Sequence, residues 1–390
     1  MALTGDTIEL QQLVDSSSDV DLGGAELLID YIVLNPHRHN GLRIKNGTVR
    51  TRPDRGGVRR FGCFELVKNA TWRGKRYPDS PLKVTFENMN FLGGWTNWTP
   101  DVLVNRDRAK DQGFNCAGIN VVAGRVDHLG IRNCSFGGMR SGVIAQQTIN
   151  LTMDGNRFFN IATQCIGSVF DTTAEVPQRH EIRQTLSHNV GSLFDFSAPL
   201  ATSNMDGAVV PVANYEDFCA SEVRGRTKTH GRWNLFLSNG TIDAPQDGPT
   251  QYPAFSFPVG REILVDNVDM NGFLVGGISA PAAGPRVRVR NSRIRGGMMA
   301  FNCSCPLFLE SIQIEGCHLP WGDSTKPAEA CNVTIRDPLS VEQQARRFVL
   351  ARQAVREWNI LHGTTYDPNR FWFMTNAVKA EVLRLEALGV

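Results

Sequence analysis

Leu42-Arg43-Ile44-Lys45-Asn46-Gly47-Thr48-Val49 and Leu129-Gly130-Ile131-Arg132-Asn133-Cys134-Ser135-Phe136 follow one pattern: apolar, any, apolar, any, Asn, any, any, apolar. Val84 to Phe91 repeats it around Asn88, Leu235 to Ile242 around Asn239, Ile263 to Met270 around Asn267, and Val287 to Ile294 around Asn291. Leu307 to Ile314 carries Ser311 in the Asn place. Leu151 to Phe158 is a looser copy around Asn156 with one extra residue, and Val333-Thr334-Ile335-Arg336-Asp337 reads as a last, truncated copy.

Alternation at two-residue spacing inside each copy marks a β-strand. The copies recur at solenoid spacing: Asn133 to Asn156 is 23 residues, Asn239 to Asn267 is 28, Asn267 to Asn291 is 24 and Asn291 to Ser311 is 20. The intervals Asn46 to Asn88 (42) and Asn88 to Asn133 (45) read as two turns each, with one unmarked, and Asn156 to Asn239 (83) as three or four. Asn suits a tight corner between short strands because it tolerates the left-handed backbone conformation. Stacked turns then set Asn above Asn, as in amide ladders.

This style of repeat resembles the right-handed parallel β-helix, or pectate-lyase-like, superfamily over roughly residues 5–337. The resemblance implies an all-β solenoid, a right-handed parallel β-helix spanning 1–337. The superfamily includes polysaccharide lyases, glycoside hydrolases, mannuronan epimerases and phage tailspikes, and this chain is closest in character to the tailspike and virion-surface members. Two stretches break the repeat, 97–115 and 171–220, and are expected to be long loops. From 338 to 390 the period becomes helical. A capping-box start at Ser340-Val341-Glu342-Gln343 opens a helix to about His362, stopped by Gly363. A second helix begins at Asp367-Pro368, completing a C-terminal α-helical hairpin.

A net charge of +2 supplies no global field toward nucleic acid or membrane, and no stretch approaches the ~20 apolar residues of a membrane span. The N-terminus, Met1 to Thr7, has neither a basic nor an apolar signal region, so synthesis in the cytoplasm without a signal peptide is expected. The nine cysteines lack framework or zinc spacing and read as free, mostly buried thiols. No metal or other cofactor is implied.

Arg43-Ile44-Lys45 matches a polygalacturonase tripeptide, but its companion Asp pair and His-Gly are missing. Asn35-Pro36-His37-Arg38 has Asn where the epimerases carry a carboxylate. Basic residues do stand out. Arg224, Arg226, Lys228, His230 and Arg232 alternate with Val223 to Gly231, placing five cations on one strand face with Val223 inward. Arg286, Arg288 and Arg290 alternate with Val287 and Val289 in the same way. Like charges at this spacing repel unless an anion sits opposite. Aromatics do not interleave with them, which speaks against nucleic acid.

Two functions are consistent with this pattern. One is a structural or receptor-binding β-helix on a virion surface, tailspike-like or capsid-decorating and homotrimeric by resemblance. It would contact an acidic polysaccharide, or another virion protein, through Arg224, Arg226, Lys228, Arg232, Arg286, Arg288 and Arg290. Phe371, Trp372 and Phe373 would serve as a docking element. The alternative is a polysaccharide lyase or glycoside hydrolase acting on an acidic polysaccharide. Uronate lyase chemistry needs a cation at the carboxylate and a base for the C5 proton, and Lys228 and His230 are the candidates.

Overall fold

The computed structural model describes residues 5–51, 61–68, 71–72, 74–94, 116–123, 126–145, 148–168, 178–196, 233–243, 255–256, 262–271, 275–280, 286–322, 325–336, 341–363 and 384–385. Twenty-two strands form one sheet whose pairings are parallel and link each turn to the next. This is a parallel β-helix. Three strand faces wrap a single apolar core, and one corner sets their register.

That corner is the Asn position. Asn46, Asn88, Asn133, Gly155, Gln184, Asn267, Asn291, Ser311 and Asn332 all hold φ between 50° and 65°. Strand register stacks them in one column, with Asn239 between Gln184 and Asn267. Where side-chain bonds join the column to the turn before, the amide donates toward the N-terminal side. Asn46 Nδ2 donates to Asp21, Asn88 to Asn46, Asn291 to Asp266 and Asn332 to Ser311, each at 3.0–3.1 Å.

The register corrects four readings of the repeat. Leu42–Thr51 pairs directly with Lys83–Leu92, and the latter with His128–Arg132, so the intervals of 42 and 45 residues are single long turns. Gly155, not Asn156, occupies the fifth corner. Asn156 is wholly buried, its Oδ1 accepting from Cys134 N and its Nδ2 donating to the Ile131 carbonyl. From Gly155 the column passes through Gln184 to Asn239, two turns rather than three or four. Strands Gln178–Arg183 and Leu186–Phe196 therefore run through part of the 171–220 stretch. In the last copy the corner is Asn332, and Val333 to Arg336 follow it.

Inside the coil, side chains stack by type. Phe91 lies on Phe136 at 4.6 Å between ring centroids, and Phe136 on Phe158 at 5.0 Å, both stacked. On the third face Ile32, Phe64, Ile119, Val143 and Ile166 align in register, and further along the coil Phe301 aligns with Trp321. Aliphatic and aromatic columns of this kind carry the burial that each turn lacks alone. Polar residues enter the core columns too: Ser187, 3% exposed, is in register with Phe158, and His180 is another. His180 stands between Leu151 and Leu235, is 1% exposed, and donates from Nε2 to the Thr148 carbonyl at 2.9 Å. Burial lowers its pKa to about 4. Of the seven described cysteines, six are buried free thiols; burial pushes Cys134 up to about 12.

Both ends carry helices. Gly5–Ser16, which the repeat pattern did not reveal, covers the first turn with Thr7, Leu10 and Val14 buried. Asn35 caps the short helix Pro36–His39, its side chain accepting from His37 N. The motif that departs from the epimerase pattern is thus a helix start. At the other end, Val341–His362 is helical as its capping box predicts. Of the expected second helix, residues 384–385 are described. They are helical, Leu385 is buried, and Arg384 reaches Glu357 at 3.4 Å.

Candidate partner-binding groove

The first strand face presents its outward residues to solvent. One column of them reads Asp21, Lys45, Glu87, Arg132, Asp154 and Arg183, and two rungs beyond Arg183 it resumes as Asp266, Arg290 and Glu310. Sign alternates at each step within both runs. Successive turns lie about 4.8 Å apart, so opposite charges on neighbouring turns meet. Lys45 Nζ sits 3.2 Å from Asp19, and Arg43 pairs with Glu87. The Arg-Ile-Lys segment is therefore an ordinary outward strand whose cations are matched within the coil.

Arg286, Arg288 and Arg290 are exposed on this face, with Val287 and Val289 buried, as alternation predicts. The anion opposite them is in part intramolecular. Arg290 donates to Asp266 Oδ2 at 2.9 Å, and this hydrogen bond, then the charge of Asp266, holds its pKa above the ordinary arginine value. Arg286 and Arg288 each place the guanidinium carbon 5.5 Å from the ring centroid of half-buried Phe308. Two cations thus lie within cation–π distance of one ring.

A groove of about 390 Å³ opens here, lined by Leu264, Arg288, Arg290, Phe308, Glu310, Glu329 and Cys331 among others. Phe308, Glu310 and Glu329 were not singled out in the sequence. For the first two the available signal was the copy Leu307 to Ile314, in which Phe308 and Glu310, before the Ser311 corner, alternate with buried Leu307 and Leu309. Across the corner a second charged cluster follows. Arg293 and Arg336 converge on Glu315, the latter at 2.9 Å, and Arg295 holds Asp269 at 2.8 Å. Hydrogen bonding from Arg293 keeps the Glu315 carboxyl below its usual range.

Arg224, Arg226, Lys228, His230 and Arg232, and likewise Phe371, Trp372 and Phe373, lie outside the described residues, as does the whole of 97–115. Among the described residues no group of three or more His, Cys, Asp or Glu is arranged to hold a metal ion. No described helix is long and apolar enough to cross a membrane.

Stacked parallel turns with an outward charged face define a parallel β-helix protein. No family model and no curated protein matches the chain. Among solved structures it is similar to the enzymatically active domain of tailspike protein 2 from bacteriophage CBA120, at 11% identity and a TM-score of 0.41, covering 85% of this chain and 44% of that one. It is similar also to the family 28 exopolygalacturonase of Yersinia enterocolitica, at 9% identity and TM-score 0.43, covering 84% and 65%. A third is the mannuronan C-5 epimerase A-module of Azotobacter vinelandii, at 10% identity and TM-score 0.38, covering 86% and 96%. The chain thus spans less than half of the tailspike domain. The fold assignment rests on the strand register itself.

Proposed function

We propose that this protein is a virion-surface β-helix, structural or receptor-binding, whose first strand face contacts an acidic glycan or an acidic protein surface. The observation that carries the reading is that Arg286 and Arg288 both lie 5.5 Å from the centre of the Phe308 ring, on a strand anchored by Val287 and Val289 in the core. A guanidinium held over a ring has N–H groups left to donate to a carboxylate or sulfate. Homotrimeric assembly is part of the proposal and is read by sedimentation equilibrium. A glycan array with acidic and neutral oligosaccharides tests the contact. Binding of acidic members, lost in Arg286→Ala/Arg288→Ala, supports it, and binding indifferent to that double substitution refutes it.

Glu310 and Glu329 in the same groove favour the alternative of a polysaccharide-cleaving enzyme, since a cation beside carboxylates suits acid–base work. Incubation with alginate, pectate and glycosaminoglycans decides between them. Appearance of the ultraviolet absorbance of an unsaturated uronate, or of new reducing ends, reverses the ranking.

A further inference from the structure

The last strand of the coil, Glu329–Arg336, pairs in parallel with Leu307–Trp321, and among the described residues no strand pairs with its other edge. The core is open at the same place. Ala330 is exposed and Val333 and Ile335 are half-buried, although the residues they stack on, Leu309, Ile312 and Ile314, are at most 3% exposed. The C-terminal helix lies against Leu307–Trp321 and leaves these side chains accessible.

Three features of this rung specify what continues it. Asn332 donates its amide hydrogen to Ser311, so its Oδ1 is the end of a column whose bonded amides donate from the following turn. Val333 and Ile335 offer apolar surface at two-residue spacing. Arg336 ends a column in which Arg295 and Glu315 precede it, alternating in sign, and it pairs with Glu315 at 2.9 Å.

We propose that this edge is a docking site for one β-strand of a partner protein, added in parallel register. The strand it fits has Asn or Ser opposite Asn332, apolar residues opposite Val333 and Ile335, and a carboxylate opposite Arg336. Ser311-Ile312-Gln313-Ile314-Glu315 meets each condition from the other side of the rung, and pairs there. Strand addition of this kind takes its affinity from backbone hydrogen bonds and its selectivity from the alternate side chains. This inference stands independently of the glycan reading.

The probe is a synthetic peptide of residues 307–315, titrated into the full chain by fluorescence anisotropy, with a scrambled peptide as control. Saturable binding of the native-order peptide is expected, together with slowed amide exchange in 329–336. Ala330→Asp places a charge opposite the peptide's apolar residue at an exposed position. It is expected to weaken binding at least tenfold while leaving the melting temperature unchanged. Arg336→Glu is expected to weaken binding likewise, with some loss of melting temperature because it sets a carboxylate beside Glu315, and a peptide with Arg in the Glu315 place is expected to restore binding to that variant. Equal binding of the scrambled peptide, absence of saturation, or exchange in 329–336 that is the same with and without peptide overturns the proposal.

Discussion

Asn88 donates its Nδ2 hydrogen to Asn46 Oδ1 at 3.1 Å, and the two residues hold φ of 51° and 57°. The bond joins two turns that are 42 residues apart in sequence and adjacent in space. The backbone conformation matters more than the amide, which is exposed to water. Asn88→Ala is expected to destabilise by about 1–2 kcal/mol, because a Cβ without local hydrogen bonding resists the left-handed region. Asn88→Gly keeps the conformation available and is expected to cost less. Urea unfolding midpoints of the two variants check the order, and a larger loss for Gly than for Ala contradicts it.

His180 makes stability depend on pH. Its folded pKa of about 4 lies below the ordinary 6.5. Between these values the unfolded chain binds the proton that the folded chain refuses. The stabilisation is therefore complete above pH 6.5 and is lost as pH falls through 4, about 3 kcal/mol in all at 1.36 kcal/mol per unit. His180→Leu, matching Leu151 and Leu235 in the column, is expected to flatten the melting temperature between pH 6.5 and 4. An unchanged slope in that variant assigns the dependence elsewhere.

Two glycines should respond differently to the same methyl group. At Gly142 a Cβ would sit 2.6 Å from the Cys165 carbonyl oxygen and 2.5 Å from Phe158. Neither can withdraw, since one is backbone and the other is core. Gly142→Ala is expected to cost about 1–3 kcal/mol as overpacking. At Gly137 the obstacle is the outer end of Phe159, 2.1 Å away but 37% exposed and able to swing outward. Gly137→Ala is expected to cost well under that, measured by thermal unfolding of both variants.

Asp266 serves two donors, Arg290 Nη2 at 2.9 Å and Asn291 Nδ2 at 3.0 Å. Asp266→Ala is therefore expected to destabilise more than Arg290→Ala. The Asp266–Arg290 coupling in a double-mutant cycle should be small and shrink with added salt, because the pair is solvated. A coupling that persists in concentrated salt would falsify this account of the outer face.

Alternation of apolar residues around Asn46, Asn88, Asn133, Asn267 and Asn291 was enough to read the coil, since strand period and a left-handed corner are local properties. The errors came where local chemistry was ambiguous. Gly155 reaches positive φ as readily as Asn, so Asn156 beside it took its place in the reading. The number of turns between Asn46 and Asn133 is not legible from spacing, because a turn's excursion has no fixed length. Arg286, Arg288 and Arg290 were legible as an exposed row, but Phe308, which both Arg286 and Arg288 approach, stands on the next turn and could not be paired with them from spacing alone.

By itself the sequence determined the strand period, the corner residues and the terminal helix, because each depends on the φ and ψ preferences of neighbouring residues. Only the tertiary structure decided which turn lies on which. That register sets Asp266 beside Arg290, Glu315 between Arg293 and Arg336, and His180 between two leucines. The physical reason is that these contacts form between strands roughly 4.8 Å apart in space, whatever length of chain separates them in sequence.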